Sequence, residues 1–267
     1  MGARVTLVMS VFNQLPLTRA CLDSLRSTTE PFRLIVVDNG STDGTTEFFE
    51  RFDATFPLRF ERNAVNTSVI ATFNRAWRWA ETEYLCFLHN DTEMPEPAWL
   101  SRLLAALGEP RAGLAGLYGI KRLRRNGRYV GRTIVHSLAE GPTVHPPWEE
   151  VCVVDAVCMC LPRDLMEAIG GFDEGYGFYH GLDRDLSFAV RERGRRCFVV
   201  HAPFIHRGGG TRTRDFVAAR EREREDLALR QRVMERFVGK YAHRLPCDAR
   251  PFSARVGEWM RAKVLRS

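Results

Sequence analysis

The stretch "EYLCFLHNDTEMPEP", residues 83–97, joins an apolar run to a polar turn. The run from Tyr84 to Leu88 has the length and composition of a buried strand. Four of the five residues in the turn at 89–93 have side chains that can bind a metal ion or a polar ligand. The stretch therefore indicates a strand that ends either in a ligand site or in an ordinary acidic turn, and the neighbouring segments have to decide between them.

Strand-like and helix-like segments alternate through the first hundred residues. Four apolar runs predict strands, at residues 4–10, 33–39, 58–63 and 83–90. Four segments with helical spacing accompany them, at residues 15–27, 42–52, 67–81 and 96–108, the last ending at Gly108. Alternation of this kind predicts a parallel sheet with right-handed crossovers, and so a protein of the α/β class.

The pattern becomes less regular after about residue 110. Residues 113–120 and 127–136 are predicted as strands around a basic turn, and 151–162 as a strand, a bend and a second strand. Residues 163–172 and 182–194 are predicted as helices, and 196–206 as a pair of strands. The segment from 214 to 243 has the alternating charges of a long solvent-exposed helix.

Composition excludes several classes of protein. The 267 residues are 45% hydrophobic, but no window approaches the 18 apolar residues of a membrane span. The apolar N-terminus is interrupted by Asn13 and Gln14, so we interpret it as a strand and not as a signal peptide. The net charge of +6 comes from arginine clusters without interleaved aromatic residues, so no nucleic-acid partner is predicted.

Cysteine usage indicates a reducing compartment. The seven cysteines are odd in number, form no CxxC pair and lie mostly in apolar runs. We therefore expect reduced thiols buried in the core of a cytoplasmic protein.

Two aspartates follow neighbouring strands of the predicted sheet. In open α/β sheets, ligands lie beyond the carboxyl ends of the strands, so Asp38 and Asp91 should be on the same side. His206 follows the last predicted strand. A carboxylate with an imidazole suits Mg²⁺ or Mn²⁺ that also binds the oxygens of a diphosphate.

Three later features have both a structural and a functional interpretation. Asp183 and Asp185 begin a helix, where they would cap it or act on a substrate. The loop "GGFDEGYGFYHG", 170–181, combines glycines and aromatic rings suited to a sugar pocket. The segment "RGGGTRTR", 207–214, is either an exposed loop or a lid whose arginines close on phosphates.

Taken together, these pieces make the chain resemble the family 2 inverting glycosyltransferases of the GT-A fold over roughly residues 3–215. The pieces "LIVVDNGSTDGT", "YLCFLHNDTEMPEPAWL" and "FIHRGGGT" occur in the family order, and the "NDT" form is similar to the rhamnosyltransferase branch. The resemblance implies a mostly parallel central sheet flanked by helices. It also implies a nucleotide-sugar half at 1–110, an acceptor half at 111–214 and a C-terminal helical extension at 215–267.

The resemblance also implies roles for individual residues. Those expected to bind the nucleotide-sugar donor are Val11, Asn13, Asp38, Arg62, Asn63, Asn66, Asn90 and Asp91. Those expected on the acceptor side are Tyr179, His180, Asp183 and Asp185, with Asp183 as the general base. Asp91 and His206 would bind Mn²⁺ or Mg²⁺, while Arg207 and Arg212 would contact phosphate.

The chain departs from the family pattern at three positions. His89 replaces the first carboxylate of the DXD motif, so metal affinity is expected to rest on Asp91 and His206. Leu182 replaces the usual Glu before the base, which weakens the acceptor-site match. Ser68 replaces a common Gly and is expected to alter donor packing.

The expected activity is inverting transfer of a hexose or deoxyhexose to a hydroxyl of a glycan, lipid-linked or protein acceptor. The alternatives are a non-catalytic sugar-nucleotide-binding relative and a nucleotidyltransferase, which would need a Gly-rich N-terminal signature that "SVFNQLPL" lacks. The C-terminal helix is expected to pack on the domain, to form a homodimer, or to make peripheral contact with the inner face of a membrane.

Overall fold

The computed structural model describes residues 2–131, 134–139, 147–208 and 216–256, with the backbone alone at 216–225. No helix in these ranges combines the length and the apolarity that spanning a bilayer requires.

The first hundred residues form the predicted alternation of strands and helices. The strands are β1 (Val5–Val11), β2 (Phe32–Asp38), β3 (Leu58–Arg62), β4 (Tyr84–Leu88) and the short β5 (Thr92–Glu93). The helices are α1 (Leu15–Leu25), α2 (Thr45–Glu50), α3 (Val69–Trp77) and α4 (Trp99–Leu107). Helix α4 ends at Gly108 as predicted, where the Gly108 N–H donates to the carbonyls of Leu104 and Ala105.

The remaining chain has more and shorter strands. They are β6 (Ala112–Gly116), β7 (Tyr118–Ile120), β8 (Arg122–Leu123), β9 (Ile134–His136), β10 (Trp148–Val151), β11 (Val153–Val154), β12 (Cys158–Pro162), β13 (Arg196–Val200), β14 (Ile205–His206) and β15 (Cys247–Asp248). The helices are α5 (Arg163–Ile169), α6 (Leu182–Glu192) and the long α7 (Phe216–Tyr241).

An eight-stranded sheet forms the centre of the molecule, in the order β10-β13-β6-β12-β4-β1-β2-β3. Strands β1 to β4 are mutually parallel, and β6 and β13 run in the same direction. Strands β12 and β10 run the opposite way. The predicted α/β architecture with a mostly parallel sheet is confirmed.

Apolar side chains cover both faces of this sheet, which explains why its strands are continuous apolar runs. Leu7, Met9 and Val36 belong to one buried cluster, together with Trp99 from α4. Alternating positions of the same strands belong to the other cluster, which includes Phe237 from α7. Because both faces are covered, polar side chains at the strand ends are the natural place for a site.

The expectation of reduced core thiols is wrong for one pair of cysteines. Cys152 and Cys247 form a disulfide across 95 residues of sequence. Strand β15 pairs with β8 in a separate two-stranded sheet, which brings the segment after α7 back to Cys152. Pattern in the sequence could not predict this pair, because tertiary packing alone brings the two thiols together. The other five cysteines are buried and free.

Candidate active site

Three potential metal ligands lie together beyond the end of β4, two from the turn that follows it and one from β14. One ligand atom each from His89, Asp91 and His206 lies within 4.8 Å of the others. The Asp91 Oδ1 atom is 3.3 Å from His206 Nε2 and 3.8 Å from His89 Nδ1. The predicted pairing of Asp91 with His206 is therefore present in the geometry, and His89 joins it.

A two-residue ladder brings His206 to this turn. Strands β5 and β14 are antiparallel, with Thr92 opposite His206, and the Arg207 N–H donates to the Asp91 carbonyl at 3.0 Å. On the other side, the His89 N–H donates to the Val157 carbonyl at 3.0 Å. Backbone hydrogen bonds thus fix the chain beside each of the three ligands.

The chemistry of this cluster fits a divalent cation. Asp91 is only 9% exposed, and its Oδ1 makes no hydrogen bond among the described residues. Burial opposes ionisation, but the adjacent His206 and His89 imidazoles hold the pKa of Asp91 below its ordinary value. An ionised, buried and unpartnered oxygen facing two imidazoles is a ready cation ligand.

Two more carboxylates lie next to the cluster. Asp183 is in the first turn of α6, and its charge acts on His89. Burial, followed by the nearby charge of Asp155, raises the pKa of Asp183. Burial also raises the pKa of Asp155, although the Val157 N–H and the His206 charge oppose the rise. Asp155 was not predicted as a site residue. The sequence signal that could have identified it is a charged residue at the predicted bend within the apolar run 151–162.

A basic hairpin brings Tyr129 to Asp183. The Tyr129 hydroxyl is 3.5 Å from Asp183 Oδ2, and the Arg184 guanidinium lies 3.9 Å from the centre of the Tyr129 ring. Arg184 also donates to the Gly127 carbonyl at 2.7 Å. Gly127 has a positive φ of 72°, and a Cβ there would approach Met234 Sδ to 2.7 Å. This close approach places the hairpin, and hence Tyr129, directly against α7.

The nucleotide side of the edge is built on Asp38. This carboxylate is fully buried, and it accepts hydrogen bonds from the Ser41 N–H at 2.9 Å and the Thr46 hydroxyl at 2.7 Å. Arg62 Nε lies 3.5 Å from its Oδ2. In this structure, Asp38 therefore stabilises the turn that follows β2, and its predicted contact with a base remains a prediction.

Most other predicted donor-side residues surround that turn. The Asn13 backbone N–H donates to Ser41 Oγ, and the Asn13 side-chain oxygen accepts from the Thr42 N–H, both at 2.8 Å. The Val11 carbonyl accepts from the Asn39 N–H at 2.7 Å. Asn39 then bonds to the side chains of Asn63 and Asn66. The structure thus brings this set together.

Asn90 lies apart from that set. Its side-chain amide donates to the Thr18 hydroxyl of α1 at 2.9 Å. This bond ties the turn after β4 to α1, and the predicted donor contact of Asn90 stays a prediction.

On the acceptor side, three of the four predicted residues, Tyr179, His180 and Asp185, are bonded to α7. The Tyr179 hydroxyl and His180 Nε2 lie 2.7 Å and 2.5 Å from Asp226 Oδ1. Asp185 is 4% exposed, and it accepts hydrogen bonds from Lys240 and Tyr241. Asp185 therefore supports helix α6, and Asp226 is a partner of two predicted site residues that sequence patterns did not identify.

One of the two arginines predicted to contact phosphate lies within the described residues. Arg207 forms an ion pair with Glu93 at 2.9 Å, and Arg212 lies outside the described residues.

Two residues that depart from the family pattern have structural roles. Leu182 is 4% exposed and packs in the buried cluster that contains Phe237, which explains an apolar residue there. Ser68 caps α3, and its hydroxyl also donates to the Gly177 carbonyl at 2.8 Å.

Comparison with known proteins shows which family the chain belongs to. The model of glycosyl transferase family 2 matches residues 6–168, so the chain belongs to that family. It is 27% identical over 237 residues to the O-antigen biosynthesis protein RfbC of Myxococcus xanthus. That match covers 80% of this chain and 18% of the relative, so the chain spans about a fifth of the relative's length.

Solved structures define the fold class as GT-A. The mannosyltransferase PcManGT from Pyrobaculum calidifontis, in complex with GDP-Man and Mn²⁺, superposes with a TM-score of 0.60 at 19% identity. The superposition covers 91% of this chain and 70% of that one. TarS 1-349 of S. aureus in complex with UDP-GlcNAc gives a TM-score of 0.55 at 19% identity, covering 77% and 59% of the two chains.

Proposed function

We propose that this protein transfers a hexose or deoxyhexose from a nucleoside diphosphate sugar to an acceptor hydroxyl, with inversion at the anomeric carbon. One observation supports this most strongly, namely that Asp183 lies close enough to the His89–Asp91–His206 cluster for its charge to act on His89. The arrangement provides a proton acceptor beside a cation site, and direct displacement of a nucleoside diphosphate is assisted by both.

Asp183 is the proposed general base. As the acceptor oxygen forms its bond to the anomeric carbon, Asp183 takes the proton of that hydroxyl, and the bond between the sugar and the diphosphate oxygen breaks. The raised pKa of Asp183 makes its carboxylate a better proton acceptor than an exposed one. A single displacement needs no protein nucleophile, and it inverts the configuration.

The donor is proposed to lie along the ends of β1, β2 and β4. Asn13, Arg62 and Asn66 would contact the nucleoside, with Asp38 acting by stabilising the turn that follows β2. Asp91 and His206 would bind Mn²⁺ or Mg²⁺, which supplies positive charge to the departing diphosphate when bound. Arg207 would reach a phosphate only after exchanging its contact with Glu93.

The acceptor is proposed to approach over Tyr179 and His180 toward Asp183. The name of the bacterial relative concerns O-antigen biosynthesis, which supports a surface-glycan or lipid-linked acceptor here. Such an acceptor would place the enzyme in the cytoplasm, in peripheral contact with the membrane through α7. Pairing of two copies through the same helix is the competing role for its exposed face.

A donor screen tests this proposal first. Purified protein would be mixed with UDP-, GDP- and dTDP-sugars with and without Mn²⁺, and melting temperature would be followed in the wild type and Asp91→Ala. One donor should raise the melting temperature by mass action, and Asp91→Ala should lose the cation-dependent part. Proton NMR of the product should then show the anomeric configuration opposite to that of the donor.

The same experiment separates the competing functions. Donor binding without hydrolysis or transfer to any acceptor would favour a non-catalytic sugar-nucleotide-binding protein. Formation of a sugar nucleotide from a sugar phosphate would favour a nucleotidyltransferase. A product that retains the donor's configuration would contradict the direct displacement.

A further inference from the structure

The residue that departs from the family's metal motif lies within the metal cluster itself. The ring centres of His89 and His206 are 5.8 Å apart, and both imidazoles approach the same oxygen of Asp91. A carboxylate at position 89 would make the cluster oxygen-rich. The histidine makes it a set of two imidazole nitrogens and one carboxylate oxygen.

The three ligands are held in position before any ion binds. His89 is fixed through Val157, and Asp91 and His206 through the ladder between β5 and β14. Asp91 Oδ1 makes no hydrogen bond among the described residues, so it does not have to leave such a partner to bind an ion. The cluster therefore has the ordering that a selective metal site requires.

The donor set decides which ions the cluster prefers. Carboxylate, carbonyl and water oxygens suit Mg²⁺, whereas imidazole suits first-row transition ions. Two histidines and one carboxylate also leave positions open for further ligands. Mg²⁺ keeps several waters and binds mainly through oxygen, so it gains little from either imidazole.

We propose that His89 is a metal ligand, and that it makes this site selective for a first-row transition ion over Mg²⁺. Affinity should rise from Mg²⁺ through Mn²⁺ to Co²⁺, following the usual order for nitrogen-containing sites. The inference rests on the proposed function only in assigning the open positions to diphosphate oxygens. Metal binding itself is independent of any donor.

The test uses the metals alone on the full-length protein. Isothermal titration with MgCl₂, MnCl₂ and CoCl₂ would compare the wild type with His89→Asp, which restores a carboxylate at this position. We expect the ratio of Co²⁺ to Mg²⁺ affinity to fall at least about tenfold in His89→Asp. An unchanged ratio would overturn the proposal.

A spectroscopic readout counts the imidazoles directly. Pulsed electron paramagnetic resonance on the Mn²⁺-loaded protein should detect two coupled ¹⁴N nuclei in the wild type and one in His89→Asp. One coupled nitrogen in both proteins would show that His89 is not a ligand. This readout remains valid even if the substitution changes overall affinity.

Two control variants separate this site from adventitious binding. His243 is an exposed histidine that follows α7 and pairs with Glu192 at the C-terminal end of α6, and His243→Gln should leave every affinity unchanged. Asp91→Ala should abolish Co²⁺ binding at the cluster. If Asp91→Ala binds Co²⁺ as tightly as the wild type, the ion lies elsewhere and the proposal fails.

The outcomes also separate this inference from the proposed function. Selective Co²⁺ binding that depends on His89, without turnover of any donor, would uphold the metal site and contradict the transferase. Transfer that proceeds equally in Mg²⁺ and Mn²⁺, and equally in His89→Asp, would uphold the transferase and contradict the selectivity.

Discussion

The two sides of the candidate site are held by different kinds of contact. On the nucleotide side, Asn39 is 1% exposed, and its amide bonds to Asn63, Asn66 and Thr67. On the acceptor side, Tyr179 and His180 bond to a charged group, Asp226, about 46 residues away on α7. Buried hydrogen bonds of Asn39 and the Asp38 carboxylate order one side, and more exposed charged contacts with a separate helix order the other.

This difference indicates which side of the site can change without changing the other side. The turns around Asp38 belong to the same strands that form the core, so the nucleotide side cannot change without changing the fold. The acceptor side depends on α7, which lies after the residues matched by the family model. A different C-terminal helix could therefore change the acceptor while leaving donor binding intact.

Replacing Asp183 should have the largest effect of these changes. The effect should be on the transfer rate and should leave the nucleotide side unchanged. Asp183→Asn removes the proposed base and should lower the transfer rate about 10²- to 10⁴-fold. Donor affinity and melting temperature should not fall, because the substitution removes a buried charge and leaves the nucleotide side untouched. Steady-state kinetics and donor titration would measure both.

Asp164→Asn is the matched control, since Asp164 is an exposed carboxylate in the first turn of α5. It should leave transfer unchanged. Wild-type rates in Asp183→Asn would remove Asp183 from the mechanism.

Loss of the Cys152–Cys247 disulfide should have the next largest effect, and it should loosen the segment after α7. Cys247→Ser opens a link that spans 95 residues, and it should lower the free energy of unfolding by about 2–4 kcal/mol. Urea unfolding of the oxidised proteins would measure this difference.

Reductant should destabilise the wild type by a similar amount and leave Cys247→Ser unaffected. Equal stability of the two oxidised proteins would mean that the segment after α7 is held by packing alone. Donor affinity should be the same in both, because the link lies on the acceptor side of the comparison.

Removing Asp226 should weaken acceptor binding without weakening donor binding. Asp226→Ala deletes the partner of Tyr179 and His180 and should raise the acceptor KM about three- to tenfold, the equivalent of one or two hydrogen bonds. The donor KM should not change. Initial-rate kinetics with each substrate varied in turn would separate the two values.

Arg230→Ala provides the control, because Arg230 contacts the other oxygen of Asp226 and is 52% exposed. Its effect should be smaller, since exposed ion pairs contribute little. If both variants raise the donor KM equally, the two sides of the site are not independent.

Added salt should produce the smallest effect of these changes. It tests most directly whether different kinds of contact hold the two sides of the site. Raising NaCl from 0.05 M to 1 M screens the charged contacts that Asp173 makes with Arg236 and Lys240. Amide hydrogen exchange in residues 173–181 should accelerate about twofold. Exchange in residues 39–46 should change much less, because Asp38 and Asn39, which hold this turn, are buried and salt screens buried groups less than exposed ones. Equal acceleration in both segments would contradict the distinction.

The sequence by itself determined the sheet and its ligand-binding edge. Apolar runs alternating with helical segments give β1 to β4 and their crossovers, because burial on both faces demands continuous apolar strands. The same logic placed Asp38 and Asp91 at one edge, since parallel strands end together. Position in the predicted elements drew attention to His206 and Asp183, and resemblance to a family then assigned them roles as metal ligand and general base.

Only the tertiary structure decided which distant groups meet at that edge. The ladder between β5 and β14 brings His206 to Asp91, and α7 brings Asp226 to Tyr179. Tertiary packing likewise brings Asp155 near enough for its charge to act on Asp183, and it brings Cys152 to Cys247. These contacts join segments far apart in the chain, where periodicity carries no information, so packing of the whole core alone determines them.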